Sequence, residues 1–216
     1  MIKPIIKSLV IFSLIANVVF AGNPDRQGQA GAYELLINPF ARSGGLHSLN
    51  TSCATGLEAI RMNVAGLSRI YGTEVIASHA NWLQGSDISV DFVGIAQPVG
   101  EAGVLGIELM SMSFGDIPIT TTELPEGGIG SFSPSFINVG LAYSVRFSES
   151  ISAGATIRII SESIANVKAS GAALDAGVQY TTGSENQMKF GVALRNIGRP
   201  MSFSGDGMSA RSYVDQ

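Results

Sequence analysis

Alternation of apolar and polar side chains over residues 135–196 constrains the fold of this chain most. Four segments place an aliphatic or aromatic residue at nearly every second position, with Gly, Ser, Thr and ionic residues between them. A period of two predicts half-buried antiparallel strands, because successive side chains on a strand point to opposite faces. One face is apolar and uncharged. That is typical of a strand between lipid and a wet lumen, although a soluble β-sandwich alternates in the same way.

The composition favours the membrane alternative. The 216 residues are 45% hydrophobic and only 14% charged, and the 26 glycines follow no collagen-like period. Lipid-facing side chains need no polar cover, so the chain fits an antiparallel transmembrane β-barrel. The net charge of −4 comes without a basic patch, which argues against nucleic acid as a partner.

Three regions follow from the patterning. Residues 1–21 carry Lys3 and Lys7 before a short apolar run that ends at Ala21, which predicts a signal peptide that is removed on export. Residues 22–72 are expected to form a plug inside a larger body. Within them, Leu57, Ile60 and Val64 recur at helical spacing and predict a helix over residues 55–64.

Residues 73–216 are expected to carry the barrel strands. Additional strands are predicted over residues 74–83, 88–99 and 104–113, with a further short strand or extended piece over residues 117–122. This gives roughly eight in all, near the smallest number that closes a membrane barrel. The polar tail after residue 203 contains no visible closing strand. Because an unpaired strand edge is costly in lipid, we expect the chain to cover only part of a barrel.

No catalytic constellation is visible, and we expect a protein that is not an enzyme and holds no cofactor or metal. His47 and His79 lie in different elements, and no nucleophile elbow, phosphate-binding loop or paired Cys motif occurs. Asp116, Glu123 and Glu126 could gather a calcium ion, but solvated loop acids are the favoured interpretation.

Ionic residues on the polar face are the main candidate site residues. By strand parity we expect them to face the lumen, either as salt bridges that hold the N-terminal segment, which we favour, or as the lining of a selective pore. They are Asp91, Glu108, Arg146, Arg158, Glu162, Asp175, Lys189 and Arg195.

A glycine-rich loop over residues 124–134 is the expected contact with a partner protein, because such loops adapt freely and are not needed to close a barrel. The candidate contact residues are Leu124, Pro125, Gly127, Gly128 and Phe132.

Six short blocks match a known signature in order along the chain. They are residues 36–45 (LINPFARSGG), 56–67 (GLEAIRMNVAGL), 78–83 (SHANWL), 111–117 (SMSFGDI), 140–143 (GLAY) and 195–201 (RNIGRPM). Together they resemble the PorV/PorQ family of outer-membrane proteins. One departure is visible at Asn63, Val64 and Ala65, where the family commonly has Asn-Pro-Ala.

The resemblance implies a FadL-like barrel in the cell outer membrane, with its N-terminal segment in the lumen. It also implies a role in the type IX secretion system, in which the protein binds exported cargo or translocon partners. Two alternatives stay open. One is a FadL-like channel for hydrophobic small molecules, and the other is a soluble exported β-sandwich.

Overall fold

The computed structural model describes residues 31–183 and 185–208. The predicted signal peptide and the start of the predicted plug lie outside these residues. Seven strands form one antiparallel sheet in the order β1-β2-β3-β6-β7-β8-β9, and β4 and β5 form a separate two-stranded hairpin. In chain order the strands are β1 (Glu74–Trp82), β2 (Ile88–Val99), β3 (Gly103–Ser113), β4 (Ile117–Pro118), β5 (Ser131–Phe132), β6 (Ser135–Arg146), β7 (Ile151–Ile164), β8 (Val167–Thr182) and β9 (Met188–Gly198).

The predicted antiparallel all-β class is confirmed. The strands predicted in residues 135–196 and in residues 74–113 form within a few residues of the expected bounds, because the period-two pattern fixes which side chains share a face. The longest connection, residues 114–134, joins β3 to β6. We call the end of the sheet that carries this connection the loop end, and the opposite end the turn end.

The two edge strands of the sheet run in the same direction. Each strand is antiparallel to its neighbour, so the first and the seventh both point toward the loop end. Among the described residues, no backbone pairing joins β1 to β9. The sheet is therefore open at both edges within the part of the chain that the structure describes.

Residues 31–72 pack across one face of this sheet, which we call the inner face. The segment contains helices α1 (Ala41–Gly45) and α2 (Ala59–Met62) and the 3₁₀ helices Tyr33–Leu36 and Val64–Arg69, and a further 3₁₀ helix, Asp206–Met208, follows β9. Phe40, Leu57 and Leu67 bury their side chains with Val90 and Phe92 of β2 in the main apolar cluster. No helix in the described ranges is long and apolar enough to cross a membrane.

The helix predicted over residues 55–64 is much shorter than expected. Only Ala59–Met62 is α-helical, and Asn63 is extended at φ −155°. Side chains of the sheet explain this, because they bond carbonyls of the segment: Arg158 Nη2 donates to Ile60 O at 2.8 Å, and Gln179 Nε2 donates to Ala54 O at 2.9 Å. A segment whose carbonyls are satisfied by strands does not need helical hydrogen bonds.

Gly66 sets how closely this segment folds on itself. A Cβ atom at position 66 would lie 2.0 Å from the carbonyl oxygen of Ala54, whereas a Cβ at Gly44 in α1 would meet nothing within 4 Å. The backbone contact at Gly66 has no flexible side chain that could yield.

We predict that Gly66→Ala destabilises the folded protein by about 1–3 kcal/mol, because the backbone of residues 54–66 must shift. Gly44→Ala is the matched control and should leave the stability within about 0.5 kcal/mol. Urea unfolding of the purified variants in detergent measures both. Equal stabilities for the two variants would contradict the packing described for Gly66.

Candidate functional site

A buried network of ions at the centre of the inner face joins the N-terminal segment to the sheet. The carboxylate of Glu108 on β3 accepts a hydrogen bond from Arg61 Nε of α2 at 3.3 Å, and its other oxygen accepts one from Arg158 Nη1 of β7. Arg158 Nε also donates to Asp175 Oδ2 of β8 at 3.1 Å. The side chains of Arg61, Glu108 and Arg158 are at most 2% exposed. Three strands and the N-terminal segment thus share one set of charges.

Uncharged polar side chains extend this attachment. Asn63 Nδ2 lies within hydrogen-bond distance of Thr51 O at 3.0 Å, Val178 O at 3.1 Å and Val192 O at 3.3 Å. Ser144 Oγ of β6 donates to Ala65 O at 3.0 Å. The N-terminal segment is therefore bound to β6, β8 and β9 as well as to the central ions.

Sequence reasoning misses several of these residues. Arg61 falls on the polar side of the expected helix, yet the structure buries it, and Asn63, Asn138 and Gln179 carry no charge to draw attention. Asn138 accepts a hydrogen bond from Arg61 Nη2. The sequence does contain a signal that could have identified two of them. Asn138 and Gln179 occupy the same alternate strand positions as the Gly and Ser residues of the inner face.

Burial shifts the pKa values of two groups in the N-terminal segment. It lowers the pKa of Arg61 to about 10, although the Glu108 carboxylate opposes the shift, so Arg61 keeps its charge at neutral pH. Burial also raises the pKa of Glu34 to about 7, and the nearby Glu162 carboxylate adds to the rise. Glu34 therefore exchanges its proton near neutrality.

Most of the predicted lumen-facing ions lie on the inner face. Glu108, Arg158, Glu162 and Asp175 are buried there. Three other predicted ions are less buried: Arg146, Lys189 and Arg195. Arg195 donates to Arg61 O at 2.8 Å, the guanidinium of Arg146 lies 6.0 Å from the ring centroid of Tyr71, and Lys189 is exposed on the edge strand β9.

The placement of Asp91 on the inner face is wrong. Asp91 is exposed on the opposite face of the sheet, which we call the outer face, and it pairs there with His79. Near the loop end the inner face of β2 is apolar, because Val90 and Phe92 pack in the cluster that contains Phe40. At this point the inner face is apolar and the outer face is polar. The rule that charged alternate positions face inward therefore assigns Asp91 to the wrong face.

The outer face has a central apolar band. In register across neighbouring strands, five rows of outward residues carry no charge; two rows span β1 to β8, two span β2 to β9 and one spans β7 to β9, and Gln97 is the polar member. The rows are Ala77, Val93, Leu109, Val139, Ile159, Ala172; then Val75, Ile95, Ile107, Leu141, Ile157, Leu174; then Gln97, Leu105, Tyr143, Ala155, Ala176, Leu194; then Val99, Gly103, Val145, Ala153, Val178, Val192; then Ile151, Tyr180, Phe190.

Two polar rows bound this apolar band at the loop end. They are His79, Asp91, Ser111, Ile137, Ser161, Ser170 in the first row and Asn81, Ser89, Ser113, Ser135, Ser163, Lys168 in the second. The change from aliphatic to polar side chains occurs at one level on neighbouring strands. Along the strands, the outer face is thus separated into a polar zone at the loop end and an apolar zone beyond it.

The predicted partner loop forms a hairpin at the loop end. Ile117 pairs with Phe132, and the connection between β4 and β5 is largely exposed. Leu124 is 51% exposed, and Gly127 and Gly128 adopt φ values of +84° and +97°, which favour glycine. Pro125 is also exposed, whereas Phe132 is half-buried. The structure brings the five candidate residues into one hairpin.

Within the described ranges, no three His, Cys, Asp or Glu side chains gather in a way that could hold a metal ion. No protein-family model matches the sequence, and no curated protein is significantly similar to it. The two faces of the sheet and the loop hairpin are therefore the features from which a function can be inferred.

We predict that Glu108→Gln lowers the free energy of unfolding by about 3 kcal/mol or more, because Arg61 and Arg158 lose their shared buried counter-ion. Glu149→Gln, in an exposed turn, is the control and should change it by less than about 0.5 kcal/mol. Urea unfolding in detergent compares them. A Glu108→Gln protein as stable as the control would show that the network contributes little to attachment.

Glu34 predicts a pH dependence of stability. Its folded pKa of about 7 lies above the ordinary value of 4.5 for a glutamate, so between these values the folded state binds more protons than the unfolded state. Stability is then greatest at low pH and falls as the pH rises toward 7. Glu34→Gln should remove this part of the slope when unfolding is measured from pH 5 to pH 8, while Glu149→Gln keeps it. An unchanged slope in Glu34→Gln would refute the assignment.

Proposed function

We propose that this chain forms the wall of an outer-membrane β-barrel whose inner face is occupied by its own N-terminal segment, and that it acts as a non-enzymatic docking component for exported proteins. The observation that carries the proposal is the charge-free band on the outer face. The predicted signal peptide supports export, and spanning by strands fits the outer membrane.

The dimensions of the band support a lipid contact. On β7 the apolar outward positions run from Ile151 to Ile159, roughly 26 Å along the strand at about 3.3 Å per residue. A tilt of about 40° reduces this to roughly 20 Å of height, close to the apolar height of about 25 Å in known barrels. A soluble β-sandwich would bury such a surface under a second sheet, and none covers it in the described residues.

Closure of a barrel places a condition on the open edges. Because β1 and β9 run in the same direction, a direct pair between them would be parallel. An entirely antiparallel barrel needs an even number of strands, so an odd number of further strands must lie between these edges. Those strands would satisfy the edge groups that lipid leaves unpaired.

The occupied inner face favours docking over transport. The buried ions and the apolar cluster around Leu57 and Leu67 fill the centre of this face. The loop hairpin, in contrast, exposes Ile119, Leu124 and Ile129 at one end of the sheet, where they are available to a partner. The resemblance to the PorV/PorQ family suggests that the partners are secreted cargo or translocon proteins, and a FadL-like channel is the alternative.

We predict that Ile157→Lys, one row from the middle of the apolar band, strongly impairs insertion, since a lysine near the bilayer midplane costs about 2–4 kcal/mol. Ser161→Lys, on the same strand and face but in a polar row, is the matched control and should insert normally. Cell fractionation and heat-dependent gel mobility measure the outcome. If Ile157→Lys inserts as well as the control does, or folds and accumulates in the soluble periplasm, the membrane proposal fails.

A photo-crosslinking residue at Leu124 should yield adducts with exported or translocon proteins. Phe147, which is 70% exposed in a connection at the turn end, is the control position. Adducts at position 124 that exceed those at position 147 support docking by the hairpin. Absence of such an excess, together with fatty-acid uptake by liposomes that contain the protein, would favour the channel instead.

A further inference from the structure

A groove of about 350 Å³ opens on the outer face between β1, β2 and β3. Its walls include two sets of three residues in register. Ala77, Val93 and Leu109 belong to the first apolar row, and His79, Asp91 and Ser111 belong to the polar row beside it. The groove therefore crosses the border of the apolar band, with an apolar half and a polar half.

The polar half carries an accessible histidine and carboxylate in hydrogen-bond contact. His79 Nδ1 lies 2.7 Å from Asp91 Oδ1, and the two side chains are 60% and 56% exposed. His79 Nδ1 faces Asp91, and a side-chain hydrogen bond also links the imidazole to Asn81. The half-exposed carboxylate of Asp91 can accept further hydrogen bonds. A protonated His79 beside Asp91 presents a cation and an anion next to each other at the edge of the band.

The small side chain of Ala77 forms the apolar half. Its neighbours across the strands, Val93 and Leu109, are 46% and 41% exposed and form an aliphatic wall. A single alkyl chain lying along this wall would bury apolar surface, which contributes about 25 cal/mol per Å².

We propose that this groove binds one zwitterionic phospholipid with a primary ammonium headgroup of the phosphoethanolamine type, and this inference rests on the proposed membrane function. The phosphate faces the His79 imidazolium, the ammonium donates hydrogen bonds to Asp91, and an acyl chain lies on Ala77, Val93 and Leu109. Complementary charge selects the headgroup. A phosphoglycerol headgroup has the phosphate but no ammonium group to pair with Asp91. A phosphocholine headgroup has a cation, but its quaternary nitrogen has no N–H that could donate a hydrogen bond to Asp91.

The test uses purified, delipidated full-length protein in detergent, which is mixed with equal amounts of phosphatidylethanolamine, phosphatidylglycerol and phosphatidylcholine. Native mass spectrometry then measures the fraction of protein that retains one molecule of each lipid. We expect phosphatidylethanolamine to be retained about tenfold better than the other two, as expected for a hydrogen bond to a charged group.

Two variants test the two halves of the groove. Asp91→Asn keeps the shape and removes the anion, so the preference for phosphatidylethanolamine over phosphatidylcholine should disappear. Ala77→Leu fills the apolar half and should reduce retention of phosphatidylethanolamine about tenfold, whereas Ala172→Leu, in the same row but on β8, should leave it unchanged.

Equal retention of the three lipids by the wild-type protein, or equal effects of Ala77→Leu and Ala172→Leu, would overturn the proposal. Heat-dependent gel mobility of the same samples separates this failure from a failure of the proposed function. A protein with barrel-like mobility but without lipid preference refutes the lipid site alone, and a protein without such mobility refutes both.

Discussion

Attachment of the N-terminal segment depends on one buried carboxylate that serves two guanidinium groups. Glu108 lies between Arg61 of the segment and Arg158 of the sheet, and Arg158 in turn contacts Asp175. Each of these ions would be costly to bury alone, and together they offset part of that cost through charge-assisted hydrogen bonds. Because the partners come from α2, β3, β7 and β8, the segment and the sheet must come together for any of them to be satisfied.

Small residues on the inner face make this close approach possible. A Cβ at Gly177 would lie 2.0 Å from Asn63 Oδ1, and one at Gly191 would lie 2.5 Å from Thr51 O. Gly177 of β8 and Gly191 of β9 therefore leave room for the N-terminal segment. The outer face shows the opposite preference, with exposed aliphatic and aromatic side chains at the alternate positions. The alternation of small or polar residues with apolar ones thus specifies both an inner face that binds the N-terminal segment and an apolar outer face.

The sequence predicts the strands well and the inner-face site in part. A period of two over residues 135–196 is sufficient to place β6 to β9, and four of the predicted ions do lie buried on one face. Parity misplaces Asp91 because β2 carries apolar residues on its inner face and polar residues on its outer face near the loop end, so that charge alone does not identify the face. The helix over residues 55–64 is overestimated for a different reason. Two of its carbonyls, those of Ile60 and Arg61, accept hydrogen bonds from Arg158 and Arg195, and the carbonyl of Ala54 just before it accepts one from Gln179. These donors lie about one hundred or more residues away in sequence, and local periodicity contains no information on such partners.

We propose that the apolar face of the sheet contacts lipid while the opposite face holds the N-terminal segment. Spin labels placed one at a time along β7 in reconstituted liposomes test it most directly, after replacement of the exposed Cys53 by Ser. Lipid contact predicts that the collision rate with oxygen peaks at every second label from Ile151 to Ile159. At Ser161 the collision rate with a water-soluble relaxation agent should exceed the collision rate with oxygen. High accessibility of the labels at Ala155 and Ile157 to the water-soluble agent would contradict the account.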